Sequence, residues 1–279
     1  MDRFNREIPG FFPMTSREMR AGLSSFLRQN QTRPIEALLP ILEEYSRTIS
    51  GFVETSFQIE GPTILCRQAG QSLRFPNPIP WRVYVHILCG YPEWLRRKYT
   101  LPGLCEVLPG DVVVDCGAFV GGFALGAAAT AAELHLFEPS PNNHACAQEN
   151  LAQLAKATVH EAGLFDRTGR LAFNIAESAV ESSFFSPDEG QVIETLETSV
   201  FRLDDLVREG RIPPPDFVKI EAEGAEIEVF EGLGDLAPRN IAIDVHAERD
   251  GVSPVDTLEE LLRRRGYSTD VYHNVLFAR

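Results

Sequence analysis

No run of about eighteen apolar residues occurs in the chain, so nothing in it reads as a membrane-crossing helix. The opening residues Met1-Asp2-Arg3-Phe4-Asn5-Arg6-Glu7 carry no apolar core of the kind a secretory leader needs. A soluble, cytoplasmic protein without a membrane partner is the expectation. Basic residues are scarce: 26 lysines and arginines stand against 40 aspartates and glutamates, a formal net charge of −14. That balance opposes binding to a polyanion, and no nucleic-acid partner is expected. The five cysteines (Cys66, Cys89, Cys105, Cys116 and Cys146) are odd in number, scattered and without a Cys-x-x-Cys pair. They describe neither a disulfide framework nor a zinc site, and small packed side chains are the plain reading. A Gly-x-Gly-x-x-Gly turn is also missing, which argues against a nicotinamide-dependent dehydrogenase.

What the chain does have is an ordered stretch from Asp111 to Phe123. A β-branched run, Val112-Val113-Val114, ends in Asp115, then Cys116-Gly117-Ala118-Phe119-Val120-Gly121-Gly122 turns tightly into a small-residue helix. That order describes a buried parallel strand whose carboxyl end meets a nucleotide-sized ligand. Glycines there let backbone amides come close to the ligand, and the helix start adds its dipole. Asp115 at the strand tip is placed to accept hydrogen bonds from it.

The first hundred residues differ from the rest. Arg33 to Ile49 shows helical spacing, with Leu38, Leu39, Ile41, Leu42 and Tyr45 on one stripe. Two short strands broken at Gly61-Pro62 follow, then a segment with Pro76, Pro78 and Pro80, then a helix from about Pro92 to Tyr99. Residues 1–100 are expected to form a helical and hairpin extension on a main domain of residues 101–279. Two roles fit that extension equally: a lid over a substrate, or an interface between copies of the chain in a homo-oligomer.

From Asp111 onward strands and helices alternate, the pattern of a parallel sheet with crossover helices. Strands are expected at 112–115, 134–138, 158–161, 217–221 and 241–246, with helices at 121–132 and 141–155. Residues 163–175 read as an inserted hairpin turning at Asp166-Arg167-Thr168-Gly169, and 192–203 as a further strand. A last helix has Ser253 as cap, Pro254 at its start, Asp256 as capping-box acid and Gly266 at its close. Two short strands around His273-Asn274 end the chain.

Several side chains converge on one sheet edge. Glu138, in Phe137-Glu138-Pro139, ends the second strand, where an acid holds both hydroxyls of a nucleoside ribose. Glu221 and Glu223 end the strand Phe217-Val218-Lys219-Ile220, and serve either to orient a substrate hydroxyl or to cap a helix starting at Gly224. Asp244-Val245-His246 brings a histidine to the same edge, able to take a proton near neutral pH. Asp244, His246 and Glu221 could also ligate a divalent metal, although nothing in their spacing demands one, and no metal is expected.

A parallel sheet finishing in a hairpin, with an antiparallel edge strand, is the arrangement of class I methyltransferases, a Rossmann-like α/β fold. Asp115-Cys116-Gly117-Ala118-Phe119-Val120-Gly121, Phe137-Glu138-Pro139, Leu203-Asp204-Asp205-Leu206 and Lys219-Ile220-Glu221-Ala222-Glu223-Gly224-Ala225-Glu226 occur in order. Together they resemble the FkbM-type family of S-adenosylmethionine-dependent methyltransferases. Ser182-Ser183 and Asp244-Val245-His246 are similar to further elements of that family. The resemblance covers about Leu104 to His246, and its most specific part is the Lys219 to Glu226 segment.

It implies S-adenosylmethionine as cofactor and a small-molecule acceptor, a sugar or a polyketide-like compound, methylated on oxygen. Gly117, Ala118 and Gly121 then cradle the methionine part of the cofactor, with Asp115 and Phe119 also among the cofactor-binding residues. Glu138 and Pro139 hold its ribose, and Gly163, Leu164 and Phe165 border its adenine. His246, aided by Glu221 and grouped with Lys219, activates the acceptor. Two positions depart from the family's usual residues: Phe119 stands where Asn is common, and Glu221 where Asp is. Those departures keep a second reading open, a non-catalytic cofactor-binding or scaffold protein of the same fold.

Overall fold

The computed structural model describes residues 17–186 and 191–279. The amino-terminal stretch read above lies outside the described residues. The extension begins with α1 (Arg17–Gln29) and α2 (Ile35–Thr48). An antiparallel meander of β1 (Thr55–Glu60), β2 (Thr63–Gln68) and β3 (Gln71–Pro76) follows, then α3 (Trp81–Leu88) and α4 (Tyr91–Lys98). Their apolar faces, Leu38, Leu42, Ile64, Phe75 and Ile87 among them, close into one cluster that also takes in Val120 and Cys146. The helix α3 runs against the local propensity of Trp81-Arg82-Val83-Tyr84-Val85, which favours a strand. Burial of Val83, Tyr84, Ile87 and Leu88 overrides that preference.

The main sheet is built from β4 (Val112–Cys116), β5 (Glu133–Phe137), β6 (Ala157–His160), β10 (Phe217–Ile220), β11 (Asn240–Asp244), β12 (Thr269–Tyr272) and β13 (Val275–Ala278). Its order is β12-β13-β11-β10-β4-β5-β6. The five strands from β11 to β6 are parallel, while β13 runs antiparallel to both β11 and β12 and makes the antiparallel edge. This is the expected mostly parallel α/β sheet of a class I methyltransferase. The helices α5 (Gly122–Ala127), α6 (Pro141–Leu151), α7 (Leu203–Arg208), α8 (Glu226–Glu231) and α9 (Val255–Arg264) cover it. The chain enters at β4, winds outward to β6 and returns to β10 on the other side of β4. The strand order therefore reverses between β4 and β10, the place where such sheets open a ligand crevice at their carboxyl ends.

Two local expectations are corrected. Residues 163–175 do not form a hairpin: β7 (Gly163–Leu164) and β8 (Gly169–Ala176) both pair with the long β9 (Val192–Phe201), in a separate sheet of order β7-β9-β8. The Asp166–Gly169 turn is drawn to the start of α7 instead. Arg202 donates to the Asp166 carbonyl (2.8 Å), and the Thr168 hydroxyl donates to Asp205 (2.7 Å). Ser253 sits one residue before the cap position of α9, which Pro254 takes; its hydroxyl donates to the Val245 carbonyl at 2.6 Å and accepts the Val255 N–H at 3.4 Å. Among the described residues no helix is long and apolar enough to cross a membrane.

The extension docks through α4, which lies against α5. Gly122 and Gly126 share one face of α5, four residues apart, and make that approach close. A methyl group on Gly126 would sit 2.4 Å from the Pro92 carbonyl oxygen, and one on Gly122 2.4 Å from the Tyr91 ring. Gly126→Ala is therefore expected to lower stability by on the order of 1–3 kcal/mol, the cost of overpacking a helix contact. Chemical denaturation checks this, and an unchanged midpoint would contradict the close docking.

Candidate active site

The site grows from the pairing of β4 with β10. Asp115 and Lys219 are direct partners across these two strands, and strand alternation sends both to the same face. After Cys116 the chain turns at Gly117, whose φ of +68° is left-handed. Any Cβ there would lie 1.7 Å from the Glu221 carbonyl oxygen, so the close passage of the segment after β10 requires glycine. Four of the turn's amides, expected to meet a ligand, are engaged within the protein. Gly117 and Ala118 donate to the Phe137 carbonyl (3.0 and 3.2 Å), Gly121 to that of Ala118 (2.8 Å), and Phe119 to the Glu138 carboxylate.

A row of alternating charges runs through this crevice. Lys219 Nζ stands 3.1 Å from Asp115 and 3.2 Å from Glu221 Oε2, and it donates to the Gly117 carbonyl at 2.6 Å. The other Glu221 oxygen lies 2.9 Å from Lys98 Nζ, which in turn lies 2.7 Å from Asp244 Oδ2. Asp244 Oδ1 accepts from both the backbone N–H and the ring Nδ1 of His246. The Tyr99 hydroxyl donates to Asp244 Oδ2 at 3.3 Å. Asp115, Lys219 and Asp244 are all buried. Burial works against charge on Glu221, but Lys98 and Lys219 outweigh it and bring its pKa down to about 2. Asp244 is likewise held below the usual aspartate range, burial being overcome by Lys98 and His246. Both lysines sit above the ordinary lysine value, their burial outweighed by these carboxylates. Asp115 alone is pushed upward, because its desolvation exceeds what Lys219 returns.

Above this row opens a cavity of about 540 Å³, within the range of small-molecule and cofactor sites. On the β4–β5 side it is lined by Gly117, Ala118, Phe119, Glu138, Pro139 and Asn143, with Gly163 and Leu164 beyond. Glu138 accepts from the N–H groups of Phe119 (2.7 Å) and Ser140 (2.9 Å), which fixes its carboxylate while leaving lone pairs for a ligand. Burial still raises its pKa to about 7. The buried Asn143 gives its amide N–H to the Ala179 carbonyl, while its own Oδ1 has no partner. An orphaned buried acceptor beside a fixed carboxylate suits a ligand that brings hydroxyl or amine donors, as a nucleoside does. These residues fit S-adenosylmethionine.

The opposite wall comes from the extension, through Arg82, Val83, His86, Tyr91, Trp94 and Lys98. At the rim His246 has a side chain 48% exposed, and its Nε2 meets the Asn274 amide at 2.8 Å. His273 and Asn274 both take left-handed conformations in the β12–β13 turn, which brings Asn274 to the imidazole. Glu248, rather than Glu221, joins Asp244 and His246 with ligand atoms within 4.8 Å of one another. Glu221 is instead engaged with the two lysines, so its link to His246 runs through Lys98 and Asp244.

Three of the residues expected to touch cofactor lie elsewhere. Asp115 lies beneath the cavity against Lys219. Gly121, at the cap of α5, faces Leu151 and Leu136. Phe165 turns into an aromatic group with Phe184 and Phe185. The helix at the Lys219–Glu226 segment starts at Glu226 with Ala225 at its cap position and no side chain capping it; Glu226 reaches back to accept from the N–H groups of Ala222 (2.8 Å) and Gly224 (3.2 Å) in the preceding turn. Lys98, Asn143, Asn274 and Glu248 were not foreseen. Of these only Asn143, in the first turn after Glu138, carries a usable sequence signal.

A family model described as the methyltransferase FkbM domain matches residues 115–269. The 31-O-demethyl-FK506 methyltransferase FkbM of Streptomyces tacrolimicus is 28% identical over 248 residues, 75% of this chain and 93% of that protein. The hexuronic acid methyltransferase AglP of Haloferax volcanii is 30% identical over 165 residues, 58% of this chain and 65% of AglP, under two-thirds of its length. Among solved structures, the precorrin-6y C5,15-methyltransferase of Geobacter metallireducens has a TM-score of 0.41 at 13% identity, covering 67% of this chain and 84% of that one.

Removing Asp115 leaves Lys219 buried with half its carboxylate partners. Asp115→Ala is expected to cost about 3 kcal/mol, as for breaking a buried ion pair. Urea unfolding measures it, and a loss below about 1 kcal/mol, the scale of a surface pair, would show that the pair is not structural.

Proposed function

The chain belongs to the family of the methyltransferase FkbM domain and is an S-adenosylmethionine-dependent methyltransferase, and from that premise we propose that it methylates an oxygen of a small hydroxylated acceptor, a sugar or a natural product. The observation that carries this reading is the imidazole at the cavity rim, oriented by a buried carboxylate. The names of the two relatives supply the acceptor class, one acting on 31-O-demethyl-FK506 and the other on hexuronic acid.

Bound S-adenosylmethionine supplies a methyl group on a positively charged sulfur, so an acceptor oxygen needs only in-line alignment and loss of its proton. Glu138 and Asn143 would hold the ribose hydroxyls, Gly117 and Ala118 would give the methionine part room against the backbone, and Gly163 and Leu164 would wall the adenine. Lys219 supports this cradle by binding the Gly117 carbonyl and compensating Asp115 and Glu221. Asp244 accepts a hydrogen bond from the Nδ1–H of His246, which leaves the lone pair on Nε2. That lone pair receives the Asn274 amide. An acceptor hydroxyl that took the place of Asn274 would pass its proton to Nε2.

His246→Ala is expected to lower turnover roughly 10²- to 10⁴-fold, the usual contribution of a general base, with cofactor affinity nearly intact. Methyl transfer to a panel of hydroxylated acceptors, beside calorimetry with S-adenosylmethionine, reads both. Equal losses in the two would remove the base assignment.

The pKa of Glu138, raised to about 7 by burial, gives a second expectation. Its ionised form is the better acceptor for ribose hydroxyls, so cofactor affinity should climb about tenfold from pH 6 to pH 8 as the carboxyl loses its proton. A flat affinity profile across that range would sink the ribose role.

A further inference from the structure

Lys98 is the last residue of α4, in a part of the chain the family model does not reach. Its side chain is only 16% exposed, and its ammonium fills the gap between Glu221 and Asp244, carboxylates of two different strand ends. The neighbouring Arg96 and Arg97 bind Glu93 on their own helix, so of this basic cluster Lys98 is the member directed into the site. The glycine-mediated docking of α4 on α5 fixes where that ammonium sits. The Thr100 hydroxyl adds a hydrogen bond to the Arg96 carbonyl and closes the helix end.

We propose that Lys98 is a positioning residue for the methyl transfer: by standing between Glu221 and Asp244 it keeps Asp244 turned to Nδ1 of His246, so that Nε2 presents its lone pair to the cavity. This rests on His246 being the base. Two buried carboxylates facing each other without a cation between them repel strongly, and the pair relieves this by taking up a proton or swinging apart. Either change reaches His246, because Asp244 is its partner. Removing a positive charge beside an imidazole also favours the protonated ring, the form that cannot accept a proton from the acceptor. The extension thus completes the catalytic apparatus, beyond walling the acceptor space.

The titratable groups around this end of the cavity are Lys98 at the end of α4 and Tyr99 just after it, Lys219 on β10 with Glu221 and Glu223 following it, Asp244 and Glu248 around the end of β11, and His273 in the β12–β13 turn. Lys98 is the cation paired directly with the carboxylate that holds the imidazole, and its removal should have a directional effect. Nuclear magnetic resonance titration of labelled histidine in the full chain reads it without any acceptor. In Lys98→Met the His246 midpoint is expected to rise by about one pH unit relative to the unsubstituted protein, the scale of one close charge. Lys98→Gln should move it the same way and serves if the methionine variant fails to fold, while Lys98→Arg should keep it in place. Cofactor affinity by calorimetry should stay within about twofold in all three, since Lys98 lies on the far side of Glu221 from the cofactor cradle.

An unmoved midpoint in the Met and Gln variants overturns the proposal. So does an equal shift in Lys98→Arg, which would mark the lysine as packing alone. If His246→Ala retains full turnover, the base reading itself fails and this inference goes with it. An unmoved midpoint together with an inactive His246→Ala removes only Lys98.

Discussion

Two ammonium groups interleaved with three carboxylates hold this molecule's functional centre together. Asp115, Lys219, Glu221, Lys98 and Asp244 follow one another within 3.2 Å, each from a different turn of the chain. Such charges are expensive to bury singly, and each is tolerable because the next neutralises it. The row crosses β4, β10, α4 and β11, so the sheet order, the docking of α4 and the crevice at the strand ends are all tied to it. Its last carboxylate presents a histidine at the rim of the cavity. Fold stability and site geometry are therefore one constraint.

The two departures from the family's usual residues make sense in this setting. Phe119 adopts a left-handed φ of +51°, a conformation that Asn tolerates well and a bulky side chain does not. Its ring packs toward Phe75 of β3, with centroids 6.4 Å apart, inside the cluster formed by the extension. Backbone strain at the loop is thus offset by apolar contact with the extension. Glu221 uses its longer side chain to give one oxygen to each lysine. Both residues serve the join between the first hundred residues and the main sheet.

Much of the fold was legible because its strands are apolar runs of the right length with glycine or acid at their ends. The Val112–Asp115 run, the acid of Phe137-Glu138-Pro139 and the strand ending at Glu221 each announced themselves locally. What escaped notice was set by distance or by competition. Lys98 lies 123 residues from Glu221, and nothing in a helix-ending Arg96-Arg97-Lys98 run says which cation turns inward. The helix α3 was hidden by strand-favouring residues, and the partner of β8 by the greater reach of β9. The amides of the glycine turn looked available for a ligand. Three of them are spent on Phe137 and Glu138, which only the fold of β5 beside β4 reveals.

The central claim is that S-adenosylmethionine occupies the crevice between β4 and β10, against the glycine turn. Calorimetric titration of the folded chain tests it most directly, comparing the natural protein with Gly117→Ala, where the added methyl would collide with the Glu221 carbonyl. Saturable binding of one cofactor per chain, lost in a Gly117→Ala protein that remains folded, is the predicted result. Absence of binding to the natural chain, or equal binding to the variant, would contradict it.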